Sequence, residues 1–259
     1  MKENYTRPVA TRPVALVTGV SRKIGIGAAI SLALAKTGWD VATTYWRPYD
    51  AAMPWGIDES EAVAINDRIR DSNVRTVSIE ADLSDIASPK RVFDHVEDSL
   101  GPVSALVMAH CHAVESNIEN TTVESFDLHF AVNARATWLL TREFGRRFQG
   151  DHGRGRIISI ISDHTTHHLP YGASKGAMDR IVLAAAQEFK DRGVTANVIN
   201  PGGTDTGWMS DDLKEQIRHE TPLGRIGLPA DCARLVSFLC SEEGGWINGQ
   251  LIYSNGGVR

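Results

Sequence analysis

The chain runs to 259 residues and sets 27 lysines and arginines against 32 aspartates and glutamates, a formal net charge of −5. That acidic balance, with no basic block, argues against nucleic acid as a partner, and no run of eighteen apolar residues offers a membrane span. The amino terminus lacks the apolar segment of a signal peptide, and three cysteines (Cys111, Cys232, Cys240) without metal-ligand spacing fit reduced thiols, so a cytoplasmic location is expected.

With 42% hydrophobic residues the chain can bury a sizeable core. Thr-Arg-Pro-Val-Ala occurs at 6–10 and again at 11–15, a local duplication whose first copy reads as part of an extended arm over 1–13. From residue 14 onward, short β-branched runs alternate with longer helical patterns. Strands are expected at 14–18, 41–45, 74–80, 105–109, 156–161, 194–199 and 251–253. Helices are expected at 28–37, 59–71, 89–99, 123–149, 171–191 and 230–240. The alternation predicts an α/β, doubly wound Rossmann fold, one domain over 14–259 with a seven-stranded parallel sheet flanked by helices on both faces. Two connections are longer than usual, and loops of that kind are often functional. They are 47–57, after the second strand, and 202–227, after the sixth, a substrate loop with a short helix near 211–219.

Thr18-Gly-Val-Ser-Arg-Lys-Ile-Gly-Ile-Gly27 joins the first strand to the first helix. Gly19 permits a tight turn, and Gly25 and Gly27 let the backbone approach a diphosphate, which then meets the positive end of the helix. A helix-capping turn would read the same way, but its place between strand and Ala-rich helix favours a nucleotide. NAD sites usually carry a carboxylate at the end of the second strand. Here that strand ends Tyr45-Trp46-Arg47, and Asp40 sits at its beginning. Arg22, Lys23 and Arg47 are therefore expected to gather round a 2′-phosphate, favouring NADP(H) over NAD(H) unless they are plain surface cations. Asp82 either accepts from the adenine amino group or caps the next helix.

Tyr171 and Lys175 stand four residues apart, so one helix face carries both, and Ser162 lies nine residues upstream of the tyrosine. A free phenol has a pKa of about 10 and exchanges protons poorly at neutral pH. A neighbouring ammonium lowers that value, which suits a tyrosine acid/base.

The glycine loop and Tyr-x-x-x-Lys together resemble the short-chain dehydrogenase/reductase family, single-domain type, over 14–257. Further matches are Asn133 in Val-Asn-Ala, Asn200-Pro-Gly202 with Thr204-Asp-Thr206, Pro222-Leu-Gly-Arg-Ile-Gly-Leu-Pro229, and Ile247-Asn-Gly-Gln250 with Asn255-Gly-Gly257. The resemblance implies a catalytic set. Tyr171 would exchange the proton, Lys175 would bind the nicotinamide ribose and depress the tyrosine pKa, Ser162 would hold the substrate oxygen, and Asn133 would hold a water. It implies cofactor contacts at Gly19, Ser21, Arg22, Lys23, Gly25, Ile26, Arg47, Asp82, Leu83, Ala109, Tyr171, Lys175, Pro201, Gly202, Thr204 and Thr206. It also implies a homotetramer or homodimer built on helices 123–149 and 171–191 and the last strand. The activity expected is that of an NADP(H)-dependent carbonyl reductase or alcohol dehydrogenase resembling 3-oxoacyl-[acyl-carrier-protein] reductases, with a small carbonyl or alcohol as substrate. An NAD-dependent alcohol dehydrogenase, an epimerase or dehydratase, and a non-catalytic dinucleotide sensor are the rivals.

Three departures from the family pattern stand out. The glycine loop holds two extra residues, Lys23 and Ile24 falling inside it. The fourth strand ends Met108-Ala-His-Cys111 where the family has Asn-Asn-Ala-Gly. Only eight residues, against about a dozen, separate serine from tyrosine; Ser159 is the alternative serine. His110, His112, His164, His167 and His168 could face one cavity, but no partner has metal-site spacing and no metal is expected. Trp208 either touches substrate or anchors its loop.

Overall fold

A computed structural model describes residues 12–164 and 166–258. Seven strands, β1 (Val14–Thr18), β2 (Asp40–Tyr45), β3 (Thr76–Glu80), β4 (Val103–Met108), β5 (Arg156–Ile160), β6 (Thr195–Asn200) and β7 (Leu251–Tyr253), form one sheet in the order β3-β2-β1-β4-β5-β6-β7. Every pairing is parallel. The order reverses between β1 and β4, the point where such sheets open a crevice at their carboxyl ends. Residues 1–11, most of the expected arm, lie outside the described residues.

Side chains alternate along each strand, so the sheet feeds two apolar layers. Leu16, Leu106, Ile157 and Val198 pack with Phe93, Leu140, Phe144 and Val182. Those partners lie on α4 (Ser88–Ser99), α6 (Ala136–Arg147) and α7 (Leu169–Glu188). Val17, Val107, Ile158 and Ile199 pack with Ile30, Leu34, Ile65 and Val236. These come from α1 (Ile26–Lys36), α3 (Ser60–Arg70) and α9 (Pro229–Cys240).

Most expected elements stand within two residues of their predicted ends. The connection expected at 47–57 opens with a helix, α2 (Arg47–Ala51), and α8 (Asp211–Glu220) lies in the loop after β6. The helix expected at 123–149 is in fact α5 (Val123–His129), a π turn at Phe130–Arg135, and α6. A π turn adds one residue to a helical turn while keeping the run helical, and it tends to mark functional sites. Asn133 lies within it.

Candidate active site

Gly19 follows β1 at φ +75°, and a Cβ there would lie 2.6 Å from the backbone of His110, so only glycine lets the β1 and β4 exits touch. A Cβ on Gly27 would run to 2.6 Å from the Gly19 carbonyl oxygen. Gly25 caps α1 with no side-chain hydrogen bond, and no acidic residue occupies the first turn. The amino-terminal N–H groups and the positive end of the helix dipole therefore face the crevice uncompensated, an arrangement that fits a diphosphate. The two extra residues do not open the turn: the Arg22 carbonyl accepts from the Gly25 N–H at 2.9 Å, and the Lys23 N–H donates to Glu61 of α3 at 2.9 Å.

At the other end of the crevice, α7 opens Leu169-Pro170, which puts Tyr171 in its first turn, with Lys175 one turn on. The Lys175 ammonium is buried and lies 5.9 Å from the Tyr171 ring centre. It donates to the carbonyls of Ile160 (2.9 Å) and His110 (3.3 Å), the exits of β5 and β4. Burial lowers the Lys175 pKa, with Cys111 opposing. Tyr171 shifts upward, chiefly because its hydroxyl is desolvated and secondly through Cys111, while the Ser162 hydroxyl pulls the other way. The expectation that Lys175 depresses the tyrosine is thus not met in this state; the ammonium is turned into backbone carbonyls, and desolvation of the phenolate dominates. Ser162 stands just past β5 and also accepts from the His164 N–H at 3.3 Å. The alternative, Ser159, is sealed inside β5 with its hydroxyl unpartnered.

Asn133 is fully buried, and its amide is spent within the chain. Its oxygen accepts from the His112 N–H (2.7 Å), and its nitrogen donates to the His112 carbonyl (2.9 Å) and the Ser174 hydroxyl (2.9 Å). The side chain therefore clamps the β4 exit, and neither amide proton is left for the expected water. His110, at the alanine of the family pattern, does similar work. Its Nε2–H donates to the Val132 carbonyl (3.1 Å), so the neutral ring accepts at Nδ1 from the Thr18 hydroxyl (2.7 Å). Burial first, and the Lys175 charge second, push its pKa down to about 3.

The other histidines do not gather. His112 meets Tyr49 and His129 edge-on, with centroids 5.5 and 4.5 Å apart, and burial followed by His129 takes its pKa down to about 4. His164 and His168 pair at 5.0 Å, and His167 is exposed at φ +61°. Among the described residues no group of three His, Cys, Asp or Glu side chains could hold a metal ion.

The remaining cofactor candidates scatter round the crevice. Arg47 is ion-paired with Glu80 at the end of β3. Arg22 stacks on Trp55 with its guanidinium carbon 4.2 Å from the ring centre. Arg47 and Arg22 are thus held by separate partners, while Lys23 is tied to Glu61 through its backbone N–H. Asp40 is bound to Arg75 at the far end of β2. Asp82 does not cap α4, whose cap is Ala87; its carboxylate accepts from the Ser84 N–H at 2.8 Å instead. Leu83 is buried beside it, and Ala109 is half-buried before His110. Pro201 and Thr204 are buried, the Thr204 hydroxyl bonding the Pro201 and Gly202 carbonyls at 3.3 Å. Gly202 holds φ +62° against Asn255, while Ser21, Ile26 and Thr206 are half-exposed. Trp208 is 46% exposed, too open for a packed loop anchor. A cavity of about 960 Å³ between the 221–227 segment and the 253–258 tail meets this site through Asp163.

The structure adds residues that no motif singled out. Tyr49 of α2 reaches across the crevice to the Ala113 carbonyl (3.4 Å), close enough to Tyr171 and Cys111 that both contribute, after burial, to raising its pKa. Asp50, buried on the same helix, accepts from the Trp55 indole N–H at 2.9 Å. Length was the only sequence signal for this segment.

Comparison with known proteins agrees with this geometry. A family model described as enoyl-(acyl carrier protein) reductase matches residues 19–259. The chain belongs to the short-chain dehydrogenase/reductase family. It is 37% identical over 249 residues to the uncharacterized oxidoreductase YjdA of Bacillus subtilis, covering 94% of this chain and 96% of that one. An NADPH-dependent aldehyde reductase-like chloroplastic protein of Arabidopsis thaliana is 36% identical, covering 96% and 95%. The crystal structure of a short chain dehydrogenase from Burkholderia cenocepacia in complex with NADP superposes with a TM-score of 0.84 at 30% identity, covering 95% and 98%. The chain is therefore a dinucleotide-binding oxidoreductase of this family, and no helix among the described residues is long and apolar enough to cross a membrane.

Proposed function

We propose that this oxidoreductase uses NADP(H) to interconvert a ketone and a secondary alcohol, with Tyr171 as the acid/base. The observation that carries the reading is the convergence of Tyr171, Ser162 and the buried Lys175 ammonium at the β4 and β5 exits, beside the uncapped α1 terminus. A bound nicotinamide dinucleotide supplies or accepts the hydride. Ser162 holds the substrate oxygen, and Tyr171 gives that oxygen its proton in reduction and takes it back in oxidation. Its upward-shifted pKa keeps Tyr171 protonated at neutral pH, the form reduction needs. Lys175 is fixed where it can meet ribose hydroxyls, and Asn133 and His110 keep the β4 exit in place for it.

Relatives described as NADPH-dependent, and a neighbour solved with NADP, support the cofactor choice, as does the lack of a carboxylate at the end of β2. Ketones resembling 3-oxoacyl thioesters are the first substrates to test, with aldehydes next. A cytoplasmic location and a homodimer or homotetramer through α6, α7 and β7 complete the proposal. Nicotinamide fluorescence titration of the purified protein should show NADPH binding at least tenfold tighter than NADH. Tyr171→Phe should cost 10²–10⁴-fold in turnover while leaving NADPH binding within about twofold. Tighter NADH binding, or turnover that survives Tyr171→Phe, overturns the reading.

A further inference from the structure

Helix α2 carries a second phenol into the catalytic end of the crevice. It begins at Arg47, directly after β2, yet its Tyr49 hydroxyl meets the carbonyl of Ala113, beyond the end of β4. β1 lies between those two strands in the sheet, so the helix reaches over the point where the strand order reverses. Burial first, then Cys111 and Tyr171, hold Tyr49 protonated well above its ordinary range. Cys111 also raises Tyr171, second to burial. The two phenols thus share one neighbourhood at the β4 exit.

The Tyr49 hydroxyl still has its proton to give. Hydroxyl hydrogen bonds usually span about 2.5–3.0 Å, and the Ala113 contact at 3.4 Å falls beyond that range. The ring, by contrast, is held. It meets His112 edge-on at 5.5 Å, and His112 meets His129 in the same way at 4.5 Å. Each support is anchored in turn. Asn133 bonds the backbone N–H and carbonyl of His112. Buried His129 donates from Nδ1–H to the Ser125 carbonyl (2.7 Å) and accepts at Nε2 from the Val114 N–H (3.1 Å). Asp50, next to Tyr49 and buried, accepts from the Trp55 indole N–H. A rigid ring that presents a weakly engaged hydroxyl is suited to orienting a ligand, since little freedom remains to be lost on binding.

We infer that Tyr49 is a specificity-determining residue that donates a hydrogen bond to a second oxygen of the substrate, while Tyr171 and Ser162 hold the reacting one. The inference rests on the ketone-reduction reading above. His112 beside Tyr49 is held neutral, so this wall offers a donor without a charge, which suits a carbonyl oxygen better than a carboxylate. The substrate class is then a ketone with a neutral acceptor oxygen near the reacting carbon, as in a β-keto ester or thioester, in preference to a plain alkyl ketone.

The test compares ethyl acetoacetate with methyl pentyl ketone, ketones of equal chain length of which only the first carries the ester oxygens. Both are reduced with NADPH by wild type and by Tyr49→Phe, with melting temperature as a control on folding. Phenylalanine keeps the ring against His112 and removes only the hydroxyl. Tyr49→Phe should lower kcat/KM for the keto ester about fivefold, through KM rather than kcat, because a bond to a non-reacting oxygen is made in ground and transition state alike. The plain ketone and NADPH binding should stay within about twofold. An unchanged ratio between the two ketones, or NADPH binding weakened as much as the keto ester's KM, overturns the inference. Tyr171→Phe on the same substrates tells the two failures apart. Loss of turnover there, with the ratio unchanged in Tyr49→Phe, keeps the reading and sinks this inference alone. Turnover that survives Tyr171→Phe, or a wild type that reduces neither ketone, sinks both.

Discussion

The two ends of the crevice are built differently. At the β4 and β5 exits, Lys175, Asn133 and His110 are buried, and their polar atoms find partners on β1, β4, β5, the π turn or α7. At the β2 exit, Arg22, Trp55, Arg47 and Glu80 stay at least partly exposed and meet through a stack and an ion pair. Buried groups with spent hydrogen bonds cannot change without loss to the fold, whereas half-exposed ones can be exchanged at little cost. On the proposed reading, the proton chemistry lies in the rigid half and the cofactor preference in the adjustable half.

Changes in the rigid half should have the largest effects. Lys175→Met should abolish turnover to within about a thousandth of wild type, measured at saturating NADPH, because the neutral side chain leaves two backbone acceptors unmet and removes the charge beside Tyr171. Asn133→Ala should cost about 1–3 kcal/mol of stability in urea unfolding, since it orphans the N–H and carbonyl of the half-buried His112. A smaller loss than 1 kcal/mol would mean that water replaces the amide.

Acid should unpick the same half. His110 and His112 are held neutral, with pKa values pushed down to about 3 and about 4. The unfolded chain takes up these protons near pH 6.5, so the stability they contribute is complete above that value and drains away as pH falls toward 4. The melting temperature should drop through this window. His110→Gln, which keeps a donor for Val132 without titrating, should make the drop shallower.

The smallest effect belongs to the adjustable half. Glu80→Gln should release Arg47 from its ion pair and tighten NADPH binding by a few-fold with no change in melting temperature, an exposed pair being worth about 0–1 kcal/mol. No change in NADPH affinity would place Arg47 outside the reach of the 2′-phosphate.

Sequence alone went far toward the fold. Alternating β-branched runs and helical periodicity located seven strands, because side-chain period and burial are local properties of a strand or helix. Gly19 and Gly27 were legible for a related reason: a tight turn before a helix leaves few other choices. The Tyr171 and Lys175 pair follows from helical spacing, which no distant contact can alter.

What only the tertiary structure decided depends on residues far apart in the chain. The Asn133 clamp joins the π turn to His112 and to Ser174, 41 residues away on α7. Whether Arg47 is free or neutralised depends on Glu80, 33 residues away on a neighbouring strand. That Arg22 rests on Trp55 could not be read from composition or spacing, since loop aromatics find partners only when the sheet has brought their loops together. Even the direction of the Tyr171 pKa shift reversed, because a sequence shows which charges are neighbours and not how much water the fold removes from them.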